Sequence, residues 1–252
     1  MINQVHNENC LVTMGRMDDN FIDLTVTSPP YDNLRTYNGY DFDFEPIAKE
    51  LYRVTKKGGV VVWVVGDATI KGSETGTSFR QALYFKECGF NLHDTMIWEK
   101  TGAGAVGSNL CYWQNFEYMF VFSKGKPNSL NLIEDRPNVA GGKLTSKYTS
   151  RGTDGKSEKC GEITQKKYGR RFNLWRVPGA THKKHPAIFP EQLAKDHILS
   201  WSNPGDLVYD PMSGSGTVAK QAILTGRLYI GSEMSEEYCG IIAERLKGVY
   251  YA

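Results

Sequence analysis

No run of apolar residues in this 252-residue chain approaches the 18 or so that a membrane-spanning helix needs. No charged-then-apolar leader opens it either, so the expectation is a soluble, unexported protein. Cysteine is sparse: five residues, Cys10, Cys88, Cys111, Cys160 and Cys239, are odd in number, scattered, and without a C-x-x-C pair. That pattern excludes a disulfide framework or a thiolate zinc site and suits a reducing cytoplasm. His182 and His185 lie three apart with no thiol or carboxylate cluster beside them, so no metal is expected. There is no internal repeat. The glycine-bearing stretch at 210–217 has neither Gly-Lys-Ser/Thr nor a full G-x-G-x-x-G, so it is not one of the two commonest phosphate-cradling loops.

What is present describes a large folded core. The chain is 40% apolar and 12% aromatic, well outside the disordered range. Net charge is only +2, but it is unevenly spread. Residues 124–184 hold 15 Lys/Arg against 5 Asp/Glu, a balance of +10; the remainder hold 15 against 23, a balance of −8. An asymmetry of that size points to a polyanionic partner.

Residues 1–123 alternate strand and helix signals. A short strand ends near Asn9-Cys10, and Phe21–Val26 follows after a helix or turn. Ile47, Ala48, Leu51, Tyr52 and Val54 recur as one helical face, and Lys56-Lys57-Gly58-Gly59 is expected to end that helix through a left-handed glycine. Val60-Val-Val-Trp-Val-Val65 is apolar throughout, as a strand covered on both faces would be. A helix over 77–88 and strands over 91–98 and 116–123 complete this half. From Lys124 to about Ala180 the pattern fails, and the stretch reads as a basic insertion, partly disordered without its partner. The pattern resumes with a helix over 190–199, a strand at 207–209, a helix over 217–224, a strand over 227–231 and a helix over 235–246. The predicted architecture is α/β: a mainly parallel, seven-stranded sheet with helices on both faces.

Two stretches carry chemistry. Thr27-Ser28-Pro29-Pro30-Tyr31 closes a core strand with two prolines that fix φ and remove two donors, leaving a stiff corner whose carbonyls have no ladder partners. A hydroxyl before the corner and an aromatic ring after it suit a planar, amino-bearing ring. Asp210-Pro-Met-Ser-Gly214-Ser-Gly216-Thr217 lies between a strand and a helix, where glycines admit close backbone approach. Glu233 follows at the next strand end, where nucleoside-binding folds place a carboxylate for ribose hydroxyls. Without phosphate-binding machinery, a nucleoside with a non-phosphate tail such as S-adenosylmethionine is the expected ligand.

These two motifs resemble the catalytic and cofactor motifs of DNA amino-methyltransferases, which methylate cytosine N4 or adenine N6. Their order, with an insertion between, is similar to the circularly permuted β group. Leu51-Tyr-Arg-Val54 through Gly58-Gly59, His185-Pro-Ala-Ile-Phe-Pro190 and Asn173-Leu-Trp175 resemble further family segments, covering roughly three quarters of the chain. Met212 stands where the family has Phe, and Asn9 where it often has Asp. Ser28 occupies a position that is Ser in typical cytosine enzymes and Asp in typical adenine enzymes.

The resemblance implies a Rossmann-like, S-adenosylmethionine-dependent methyltransferase fold made of a catalytic half (1–123), a basic target-recognition insertion (124–181) and a cofactor half (182–252). It implies methylation of double-stranded DNA at a flipped base, cytosine N4 favoured and adenine N6 the rival, in the cytoplasm of a prokaryotic or phage-infected cell. Methylation of RNA or a protein amide, or DNA binding without catalysis, are the competing classes. Ser28, Pro29, Pro30 and Tyr31 are the implied catalytic residues. Asn9, Asp67, Phe189, Pro190, Asp210, Met212, Gly214, Ser215, Gly216, Thr217 and Glu233 are the implied cofactor residues. Arg35, Lys143, Lys147, Arg151, Lys166, Lys167, Arg170 and Arg171 are the candidate DNA contacts. Homodimerisation is carried over by analogy alone.

Overall fold

The computed structural model describes residues 1–30, 42–101, 111–139, 141, 144–145, 148–160, 163–164, 166–182 and 185–250. The chain forms two compact units: Met1–Asn131 with Asn173–Ala252, and Leu132–Phe172.

The larger unit is built on one sheet. Its strands are β1 (Gln4–His6), β2 (Ile22–Thr27), β3 (Thr55–Val65), β4 (Asn91–Thr101), β5 (Phe116–Ser123), β6 (Leu174–Pro178), β7 (Leu207–Asp210) and β8 (Leu228–Ser232). Their spatial order is β1-β8-β7-β2-β3-β5-β4-β6. Every neighbouring pair is parallel except β3–β5 and β5–β4. The sheet therefore has eight strands rather than the expected seven. The additional one, β6, lies in the basic stretch that shows no pattern in the sequence; Trp175 and Val177 are buried between exposed neighbours, an alternation only five residues long.

Six helices cover the sheet: α1 (Cys10–Gly15), α2 (Phe44–Val54), α3 (Thr77–Glu87), α4 (Glu191–Trp201), α5 (Thr217–Leu224) and α6 (Glu236–Leu246). The apolar run of β3 divides between two cores. Val61, Trp63 and Val65 join Met14, Ala48, Leu51 and Phe85 from α1, α2 and α3. Val60, Val62 and Val64 join Leu193, Ile198, Val218 and Ala222 from α4 and α5. Burial on both faces is why this strand needs no polar alternation. Each fully buried aliphatic side chain such as Leu51 contributes about 1.5–3 kcal/mol.

The exit from α2 differs from expectation. The helix passes directly into β3: Thr55 is extended, and its Oγ1 donates to the Leu51 carbonyl at 2.6 Å. Gly58 does adopt a left-handed φ of +79°, but inside β3, where the register against β2 jumps from Ile22↔Thr55 to Leu24↔Val60. The glycine serves a bulge, not a helix cap. A Cβ there would stand 2.2 Å from Asn128 Oδ1.

The smaller unit is an antiparallel ribbon. Arg136–Pro137 pairs with Tyr168–Gly169, Leu144–Thr145 with Ile163–Thr164, and Tyr148–Arg151 with Ser157–Cys160. A turn closes it: Gly152 N–H donates to the Lys156 carbonyl at 2.9 Å, and Asp154 Oδ1 accepts from the Lys156 amide at 3.0 Å. Its strands are only two to four residues long, too short for an apolar alternation to be read in the sequence.

Candidate active site

In parallel α/β sheets, ligands lodge outside the carboxyl ends of the strands where successive connections diverge. Here that point lies between β2 and β7. From β2 the chain proceeds through α2 to β3, and from β7 through α5 to β8 on the opposite side. The two motifs singled out above sit at these two strand ends.

β2 leaves its ladder at Thr27, opposite Trp63, and Ser28, Pro29 and Pro30 continue beyond it without strand pairing. Pro29 is buried, Ser28 and Pro30 half-buried. Tyr31 and Arg35 lie outside the described residues.

β7 ends at Asp210 and enters the glycine turn. Gly214 and Gly216 both take positive φ, +51° and +77°. Only glycine adopts this at little cost, and the second conformation delivers the chain into α5 at Thr217. The turn is pressed onto β8: Ser213 N–H donates to the Ser232 carbonyl at 2.9 Å, and a Cβ on Gly231 would stand 2.4 Å from Ser213 Oγ. Glu233, just past β8, accepts from the Gly214 amide at 2.7 Å and from the Ser235 amide at 2.9 Å. Asn7 donates to the Glu233 and Met234 carbonyls at 2.9 and 3.0 Å, holding that segment from the β1 side. Asp210 Oδ1 accepts from Thr27 Oγ1 at 2.8 Å and from the Met212 amide at 3.1 Å.

Burial raises the Asp210 carboxyl from 3.8 to about 7; the Thr27 and Met212 hydrogen bonds pull the other way, and the Glu233 charge adds to the rise. Burial also raises Glu233, against its backbone donors. The Cys10 thiol, buried nearby, is pushed up to about 12 and stays neutral, so it offers no thiolate nucleophile.

Arg245 of α6 clamps the turn from behind. Its Nη1 donates to the Ser215 carbonyl at 3.0 Å, to Ser215 Oγ at 2.8 Å and to Thr217 Oγ1 at 3.0 Å. Its Nη2 donates to Glu191 Oε1 at 2.7 Å, which also receives Lys220 Nζ at 2.7 Å. Both cations beside the turn are thus committed to one carboxylate. Two carboxylates and no uncommitted cation among these contacts suit a neutral or cationic nucleoside better than a phosphate.

The remaining candidates are placed as follows. Asn9 Oδ1 accepts from the Leu11 amide at 2.8 Å and caps α1. Asp67 accepts from the Ser78 amide at 2.8 Å and from Ser78 Oγ, holding the first turn of α3. Both spend side-chain oxygens on helix amides. Pro190, buried, precedes α4; Phe189 packs on the α4/α5 core and Met212 on the other. Lys166 pairs with Glu134 at 2.9 Å and Arg171 with Asp135 at 2.5 Å. Arg151, Lys167 and Arg170 are exposed on the ribbon unit, and Lys143 and Lys147 lie outside the described residues. Among the described residues there is no group of His, Cys, Asp and Glu able to hold a metal, and no helix is long and apolar enough to cross a membrane.

Sequence reasoning includes Thr27 in the Thr27–Tyr31 motif but assigns it no role of its own, and gives Arg245 none. In the structure Thr27 is the last residue of β2. Arg245 gives no signal, being one cation on a charged helix.

Comparisons with known proteins place the chain in a family. The chain is 62% identical over 238 residues to the orphan methyltransferase M.BamHII of Bacillus amyloliquefaciens, covering 90% of this chain and 89% of that one. Among solved structures, the cytosine-N4-specific PvuII DNA methyltransferase superposes with a TM-score of 0.70 at 20% identity, covering 96% of this chain and 85% of the other. M1.HpyAVI in its SAM complex superposes with a TM-score of 0.63 at 20% identity, covering 96% and 99%. These two likenesses establish the fold. The model of the N6_N4_Mtase family matches residues 22–244, both motifs and everything between them, and the chain belongs to that family of DNA methylases.

Proposed function

We propose that this chain transfers a methyl group from S-adenosylmethionine to the exocyclic amino group of a base extruded from double-stranded DNA, with cytosine N4 the target. The observation that carries this reading is the proximity of the Ser28-Pro29-Pro30 corner to the Asp210–Thr217 turn, at the one point where the sheet's connections diverge. When bound, the cofactor supplies a methyl group on a cationic sulfur.

The chain's own residues do the rest. The amino nitrogen of a base is a weak nucleophile because its lone pair is delocalised into the ring. The Pro29 carbonyl and the Ser28 hydroxyl, held beyond the ladder, accept hydrogen bonds from its two N–H groups and favour a tetrahedral nitrogen with a localised lone pair. As the N–CH3 bond forms and the S–CH3 bond breaks, one of those protons is released to solvent. Glu233, at the end of β8, receives the ribose hydroxyls, and the turn's backbone the remainder of the nucleoside. Fixing both partners at one cleft supplies proximity and orientation, and the leaving sulfur needs no added acid. Extrusion of the base costs roughly a few kcal/mol. Stacking on Tyr31, the next residue of the motif, offsets that cost.

Target recognition is assigned to the ribbon unit, whose Arg151, Lys167 and Arg170 are exposed. A two-stranded ribbon fits the major groove, where base edges are distinguishable. Contacts from such cations go mostly to phosphates and position the protein on the duplex.

Ser28 carries the choice of base. The test is enzymatic methylation of DNA followed by digestion to nucleosides and mass measurement. N4-methylcytosine is expected; N6-methyladenosine in its place would transfer the assignment to adenine. Methyl transfer to RNA but not DNA would overturn the reading.

A further inference from the structure

β2 and β7 are paired only as far as Val208↔Leu24 and Tyr209↔Thr25. Beyond those residues their chains depart in opposite directions and cross to opposite faces, α2 into one core and α5 into the other. No connecting segment therefore fixes the distance between the two strand ends. What spans them is a side-chain bond: Thr27 Oγ1 donates to Asp210 Oδ1 at 2.8 Å. Thr27 is 1% exposed and Asp210 6%. The same carboxylate oxygen accepts the Met212 amide at 3.1 Å, two residues into the glycine turn. One oxygen thus joins the residue preceding the proline corner to the backbone of the cofactor turn. A buried bond to a carboxylate is short, directional and unshared with water, so it transmits position rather than slack.

We propose that Thr27 is a positioning residue for methyl transfer: its hydroxyl, through Asp210, sets the separation between the proline corner and the glycine turn. This rests on the function proposed above. Attack on a methyl group must be in line with the departing sulfur, and displacement by about 1 Å is enough to cost about a hundredfold in rate. Thr27 does not itself face the reacting atoms; its effect is on the alignment of groups that do. Loss of the hydroxyl should therefore slow the chemical step while leaving each ligand's own contacts in place.

The experiment compares wild type with Thr27→Val, which keeps shape and loses the hydroxyl, and Thr27→Ser, which keeps the hydroxyl. S-adenosylmethionine affinity is measured by calorimetry, and single-turnover transfer to DNA is measured at saturating cofactor. Expected for Thr27→Val is a transfer rate lower by about thirtyfold with cofactor affinity within about threefold, and for Thr27→Ser a rate within about threefold of wild type. If Thr27→Val does not fold, Thr27→Ala, which leaves room for a water beside the carboxylate, is expected to give the same split. Equal losses in affinity and rate, or a serine variant as slow as the valine one, would show a merely structural role and overturn the proposal. A wild-type protein that methylates no DNA would instead defeat the underlying reading, and the two failures are distinct.

Discussion

Replacing Asp210 with asparagine should remove a pH-dependent burden on stability. The native carboxyl titrates near 7, raised chiefly by burial, against an ordinary value of 3.8. At about 1.4 kcal/mol per pH unit, that gap amounts to roughly 4 kcal/mol. The direction follows from proton counting. Between about pH 4 and pH 7 the folded protein retains a proton that the unfolded chain has released, so stability falls as pH rises through this window. Below the window the contribution is fully present; above it the folded state carries a bare buried carboxylate and the contribution is gone. Glu233 charge and the Thr27 and Met212 donors act on the group in opposite senses, and among the described residues Cys10 and Tyr209, neutral throughout, also face it. The carboxamide of the Asp210→Asn variant would keep an oxygen for the Thr27 hydroxyl and the Met212 amide but has no proton to lose. Urea denaturation of both proteins from about pH 4.5 to pH 8.5 isolates the effect, because carboxylates that do not interact with Asp210 cancel in the difference, leaving Asp210 and its coupling to Glu233. The variant should gain on wild type by about 3–4 kcal/mol across that range. A difference that stays flat would mean that Asp210 is ionised and hydrated throughout, and would refute its burial at the junction of β2 and β7.

Three further outcomes are expected. Arg245→Met removes the donors to Ser215 and Thr217 and should weaken S-adenosylmethionine binding about tenfold, or about 1.4 kcal/mol, by calorimetry; unchanged affinity would mean the turn holds its shape without the clamp. Gly58→Ala forces a side chain into a left-handed φ of +79° and against Asn128, and should cost roughly 2 kcal/mol, read as a lower melting temperature; an unshifted melt would contradict the bulge. Arg151→Ala and Arg170→Ala should each reduce the slope of log DNA affinity against log salt by about 1, and a slope unmoved in both would free these cations of phosphate contact.

The alternation of strands and helices is readable because β3 is apolar on both faces and α2 keeps one apolar stripe. β6 is not, since its five residues sit at an edge within a basic stretch. The glycines at 58 and 59 read as a helix stop because two glycines after two lysines fit a C-cap as well as a bulge; only pairing with β2 distinguishes them. At the site, the proline corner and the glycine turn announce themselves through residue types that restrict or free the backbone. The Thr27–Asp210 bond leaves no such trace, because its partners are 183 positions apart and nothing in either motif pairs one with the other. Asn9 and Asp67 join the cofactor candidates by resemblance, whereas their oxygens in the structure serve helix amides.

The sheet order has a consequence for how the chain is made. β7 and β8 lie between β1 and β2 in space but are synthesised after every other strand of the sheet. Until they arrive, β1 has no partner and β2 presents an open edge, so the first 131 residues leave the ribosome as an incomplete sheet with a two-strand gap. Closing the gap requires pairings across more than 180 residues, such as Leu24↔Val208 and Gln4↔Ile230. Contacts of that separation fold slowly, and an exposed edge is an invitation to pair with another chain. Chaperone demand during synthesis should therefore peak just before residues 207–232 emerge, and the cleft between β2 and β7 takes shape only near the end of synthesis.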